Sequence, residues 1–103
     1  MNELNDQEVE AAINRKGLTA PRITPAHINA TVKSTQFHLF PDSQLTVCVL
    51  TLQNGFTVTG ESACASPENF DEEIGRGIAL KNAKEKIWAL EGYLLKQRLF
   101  EAE

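Results

Sequence analysis

Few side chains in this 103-residue chain are of a kind that could do chemistry, and they are scattered. Arg22, Arg76 and Lys86 are cations that could hold an anion, guanidinium bidentately and ammonium as a point charge. Phe70 could stack on a base. One or two cations of the last helix, with Arg22 and such a ring, could line an anion or nucleotide pocket. A solvated helix face is the ordinary reading of Arg76, Lys81, Lys84 and Lys86, with Glu85 and Glu91 screening them. Asp71, Glu72 and Glu73 are adjacent carboxylates, but three acids at a helix start are accounted for by the helix dipole. Cys48 and Cys64 lack a recognisable base, since neither His27 nor His38 is aimed at them by any spacing. No metal-ligand spacing, phosphate loop, serine elbow or dinucleotide fingerprint occurs. Gly75 and Gly77 fall inside a helical period, where they serve close packing. The reading is therefore of a non-enzymatic protein with no catalytic residues, no metal and no cofactor.

The elements that must position these groups are organised around Leu45–Gly60. Asn54-Gly55 lies between two β-branched, apolar runs, a strong hairpin signal. A two-residue type I′ turn sets Gln53 opposite Phe56. Counting outward, Leu45, Val47, Val49 and Thr51 face Cys64, Ser62, Gly60 and Val58 on one side. Thr46, Cys48, Leu50 and Leu52 face Ala63, Glu61, Thr59 and Thr57 on the other. The first side is the more apolar and is expected to be the core. The two cysteines then lie on opposite faces, as buried, unpaired thiols.

Ahead of the hairpin, residues 3–14 predict a short amphipathic helix ended by Gly17. Residues 18–23 are an extended connection through Pro21. Thr24-Pro25 starts a second helix over 25–32. Residues 34–40 alternate as a first strand. Behind the hairpin, Ser66-Pro67 or Asn69, which with Glu72 fits a capping box, starts a last helix within residues 66–101, roughly thirty residues and about 45 Å long, with Gly92 as a candidate break. One stripe of it carries Leu80, Ala83, Ile87, Leu90 and Leu94. A nearly opposite stripe carries Phe70, Ile74, Gly77, Ile78, Trp88, Leu95 and Leu99. Two apolar stripes need two surfaces to bury against. One is the chain's own sheet; the other is expected to be a second subunit, so a homo-oligomer is predicted.

The fold class that follows is α+β, in the order α-α-β-β-β-α. It is a three-stranded antiparallel meander packed by a long C-terminal helix, in a single domain over 1–103. The formal charge of −4 removes the electrostatic basis for binding duplex nucleic acid. No apolar run reaches membrane-span length and no signal-peptide pattern occurs, so neither a membrane partner nor export is expected. The cytoplasm is the expected location.

Four blocks carry a resemblance. They are Leu45-Thr-Val-Cys-Val-Leu-Thr-Leu52, Asn54-Gly-Phe-Thr-Val-Thr-Gly-Glu-Ser62, Pro67-Glu-Asn-Phe-Asp-Glu-Glu-Ile-Gly75 and Glu85-Lys-Ile-Trp-Ala-Leu-Glu-Gly-Tyr-Leu-Leu95. With Thr19–Pro25, they resemble a family of small tailed-phage proteins named after gene product 49 of one podophage and gene 66 of another. The resemblance implies a phage or prophage accessory protein working in an infected or lysogenic host. It transfers no catalytic residue. Size and plan are also similar to phage anti-defence proteins that sequester a host immune nucleotide signal without cleaving it. On that analogy a nucleotide-like ligand would sit where subunits meet, and the candidate ligand-binding residues would be Arg22, Asn69, Phe70 and cations of the last helix such as Arg76 or Lys86. A module that docks on a host protein and inhibits it, or a small assembly accessory, are the alternatives.

Overall fold

The computed structural model describes residues 5–103, so the start of the helix expected over 3–14 lies outside the described residues. The elements are α1 (Asp6–Arg15), α2 (Pro25–Thr31), β1 (Val32–Leu39), β2 (Leu45–Leu52), β3 (Thr57–Ala63) and α3 (Glu72–Glu101), with a 3-10 turn at Pro67–Asn69. Their order is the one expected. β1, β2 and β3 form one antiparallel sheet in that order, and α3 packs along β2 and β3.

Local chemistry accounts for the helix ends. Asn5 caps α1 by accepting from the Glu8 amide. At its other end Gly17 takes φ +66°. Its N–H donates to the Asn14 carbonyl and that of Leu18 to Ile13, closing a Schellman motif. Thr24 caps α2, with Pro25 in its first turn. Asp71, rather than Asn69, caps α3 by accepting from the Ile74 amide. Asn69 instead ends the 3-10 turn. The helix therefore starts at Glu72, and it runs unbroken through Gly92.

The hairpin departs from the expected register by one residue. Leu52 N–H donates to the Phe56 carbonyl at 2.8 Å, and Gly55 N–H donates to the Leu52 carbonyl at 2.9 Å. The loop is therefore three residues, Gln53-Asn54-Gly55. Only Gly55 has positive φ, +90°. This is a type I turn closed by a left-handed glycine, the common three-residue alternative to type I′. The Asn54 side chain accepts from the Phe56 amide at 3.0 Å, which holds the loop in that form. Cys48 thus faces Gly60, Leu50 faces Val58 and Val47 faces Glu61.

With the register, the core face changes. Thr46, Cys48, Leu50, Leu52, Val58 and Gly60 are buried, whereas Leu45, Val47 and Val49 are only half-buried on the other side. No described helix covers that other side. Periodicity now puts Cys64 on the same side as Cys48, contrary to the expectation of opposite faces. Both remain free thiols, and Cys64 lies four residues along the chain from Gly60, Cys48's cross-strand partner. Cys64 is half-buried, its thiol 3.3 Å from the Ser66 carbonyl that accepts from it.

Which side α3 chooses follows from size. Its buried residues are Gly75, Ala79, Ala83 and Ile87, spaced four apart. Neither predicted stripe is this one, although Ala83 and Ile87 belonged to the first. Small side chains let the helix backbone settle onto Gly60. A Cβ built there would lie 2.2 Å from the Ala83 nitrogen and 2.3 Å from the Ala79 oxygen. Ile28 from α2 closes the core with Leu50 and Ile87.

Gly60→Ala should cost at least ~2 kcal/mol in urea unfolding, because backbone rather than a movable side chain is in the way. Gly92→Ala, whose Cβ meets nothing within 4 Å, should stabilise by up to ~1 kcal/mol through helix propensity. Equal effects from the two substitutions would contradict the close approach.

Candidate functional site

α2 runs beside α3, and the two helices frame a groove of about 370 Å³. α3 contributes Lys81, Lys84 and Trp88 to it, at spacings i, i+3 and i+7 that lie along one helix face. Asn29 faces them from α2, and Leu80 and Ile28 form the apolar floor. Trp88 and Leu80 are half-buried against the core, so the floor is anchored rather than loose. Asp6 and Glu85 also line the groove, and the lining's two ammonium groups are matched by two carboxylates. Two cations, an indole and an amide around an apolar floor can take an anionic aromatic molecule. Contact geometry, more than net field, would decide its affinity.

The residues singled out in the sequence fall elsewhere. Arg22 Nη1 lies 2.7 Å from Glu10 Oε1, tying the connection to α1. Asn69 and Phe70 line a shallow dip of about 90 Å³ with Cys64, Ile74 and Ile78, too small for a base. Arg76 lies in a separate recess with Phe37, Leu39 and Thr46. There its guanidinium is 3.7 Å from Glu72, one turn back. Lys86 is exposed on α3. Only Asn69 and Phe70 are brought together, and within one copy the five residues do not share a site. Lys81 and Lys84 were read as part of a solvated helix face and Trp88 as part of an apolar stripe, so the groove they share was not anticipated. The spacing of the indole relative to the two lysines was the available signal.

A second, larger groove of about 680 Å³ opens between the hairpin loop, the end of α2 and the C-terminal part of α3. It is lined by Leu52, Phe56, Leu90, Tyr93 and Leu94. At its margin Glu91 links the helices: its Oε2 lies 3.7 Å from His27 Nε2, and the Thr31 hydroxyl donates to Oε1 at 3.4 Å. Among the described residues, no group of three or more His, Cys, Asp or Glu is arranged to hold a metal ion. Burial pushes the Cys48 thiol above its ordinary pKa, against a smaller downward pull from Lys84. That is the opposite of an activated nucleophile. No described helix is long and apolar enough to cross a membrane.

The Glu10–Arg22 pair has a pH signature. The Arg22 hydrogen bond holds the Glu10 carboxyl below its ordinary pKa, and the same bond raises that of Arg22. A depressed carboxyl pKa contributes stability above the unfolded value, about 4, and loses it as pH falls through the folded value. Glu10→Gln should therefore flatten part of the acid limb of a Tm-against-pH curve below about pH 4. An unchanged limb would mean that the pair does not persist in solution.

Residues 23–99 match a protein-family model described as the phage protein (N4 Gp49/phage Sf6 gene 66) family. Comparison with curated proteins and with solved structures gives no match.

Proposed function

The chain belongs to that phage protein family, and from this premise we propose that it is a non-enzymatic accessory protein that captures a small nucleotide-like signal in the cytoplasm of the host. The observation that carries the reading is the placing of Lys81, Lys84 and Trp88 on one face of α3, opposite Asn29, around one groove. Its size, about 370 Å³, falls in the range of small-molecule sites. The two ammonium groups hold phosphate oxygens as point charges. The indole stacks the base, an interaction that tolerates any base because each has a π face. The Asn29 amide pairs with a base or sugar edge. Capture without turnover fits a chain whose one fully buried thiol is pushed away from ionisation. Sequestration of a host immune nucleotide is the use that fits a phage protein of this size.

A thermal-shift screen of cyclic dinucleotides, cyclic trinucleotides and cyclic ADP-ribose isomers tests the reading. A true ligand at a hundred times its Kd adds ~2.7 kcal/mol to stability, a clear rise in Tm. Trp88→Ala and Lys84→Ala should abolish the rise, Asp6→Asn should enlarge it for a phosphate ligand, and mass spectrometry should recover the ligand intact. A flat screen with a host protein co-purifying would replace capture with inhibitory docking. Loss of the shift in Arg22→Ala or Phe70→Ala, with Trp88→Ala unaffected, would move the ligand to the other residues.

A further inference from the structure

The radius of gyration is 16.5 Å and the extents are 53 × 35 × 17 Å, against about 13 Å expected for a rounded domain of this length. The elongation follows α3, which is thirty residues long against eight for β2 and runs on past Ile87, its last buried residue, to Glu101 beyond the end of the sheet. At 100° per residue, Leu90, Leu94, Gln97 and Glu101 continue the direction of Ala83 and Ile87. The stripe that is buried on the sheet thus runs on where there is no more sheet. Along this stretch Tyr93 is 71% exposed, Phe100 61% and Leu94 46%, and Phe56 on the hairpin loop is 56% exposed. The 680 Å³ groove is the space beneath the projection.

We infer that a second copy of this chain fills that space, through a two-fold axis that sets the two projecting helices antiparallel, stripe to stripe. The arrangement is self-complementary. Each molecule is two layers, helix over sheet, and the projection is the helix layer without its sheet. Inverting one copy slides its projecting helix into the missing layer of the other, end-on to the other's hairpin loop. The side chains agree. With the axis near residue 96, Tyr93 of one copy comes within a helical turn of Phe100 of the other. Each contact occurs twice, as two-fold symmetry requires.

Area points the same way. If a fully buried ring hides about 200 Å², Phe56, Tyr93 and Phe100 expose on the order of 350 Å² per copy, or roughly 700 Å² for two. Leu90 and Leu94, each about two-fifths exposed, carry the total toward the roughly 1,000 Å² that a specific interface needs. The ligand groove lies on another flank of α3, so this inference does not rest on the ligand.

Sedimentation velocity of the full chain over about 1–100 µM is the test, with circular dichroism confirming the fold of each variant. The wild type should sediment as a dimer. Leu94→Glu and, independently, Phe100→Glu should give monomers of unchanged helix content, because both positions are solvent-exposed in one copy. Val49→Glu, on the uncovered sheet face, should leave the dimer intact. A monomer at every concentration overturns the inference. So does a dimer that survives both Leu94→Glu and Phe100→Glu, or one lost in Val49→Glu alone.

Discussion

Everything in this fold depends on how closely α3 lies on β3. At Gly60 the helix backbone itself, through Ala79 and Ala83, occupies the space where a side chain would begin. A helix can lie that low only if its contact stripe is small, and Gly75, Ala79 and Ala83 meet the condition. The low approach then sets what the rest of the chain must supply. Leu50, Leu52 and Val58 fill the wedge toward the hairpin, and Ile28 plugs it from α2. At the other end, a Cβ built on Gly75 would lie 3.1 Å from the Thr46 hydroxyl. Because the stripe is small, the hydrophobic yield per turn is low. The core is correspondingly short, with Ile87 the largest side chain that α3 buries fully.

A helix centred over β2 and β3 leaves β1 without a roof. Phe37 and Leu39 point to the helix side of the sheet yet remain 40% and 36% exposed. His38 points to the other side, where its ring meets Phe40 edge-on at 4.4 Å. The same off-centre placement creates both grooves. α2 cannot pack flat on the sheet, so it leans against α3 and leaves the Trp88 groove above it and the Tyr93 groove beyond it. The two grooves are thus two products of one packing choice.

How much of this was legible in the sequence depended on how local the determinants were. The cap of α2, the stop of α1 and the order of elements were readable, because Thr24-Pro25, Gly17 and the alternation of β2 act over a few residues, whereas the cap of α3 moved from Asn69 to Asp71. The hairpin's existence was readable from Asn54-Gly55, but its register was not. The choice between a two-residue and a three-residue loop turned on Asn54 using its side chain to hold the Phe56 amide, a difference invisible in residue type. One residue of slip was enough to exchange the faces, so the valines read as core stand half-buried on the open side. The α3 stripe was missed because hydrophobic scale favours Leu80 and Leu90, whereas the packing selected for smallness at Gly75 and Ala79. The five predicted site residues were chosen for their chemistry one at a time. Spacing along a helix face, as at Lys81, Lys84 and Trp88, carries more positional information than residue type alone.

The meander followed directly by α3 also has a kinetic consequence. β2 pairs with β3 across a three-residue loop, and α3 returns onto β3 after eight intervening residues. Nearly all of the core can therefore form between residues 45 and 87, with short loops to close and little chain entropy lost beforehand. β1, α2 and α1 attach to a unit that is already whole. Folding should nucleate in the second half of the chain. The first half would then be the part that opens and recloses while the hairpin and its helix stay shut.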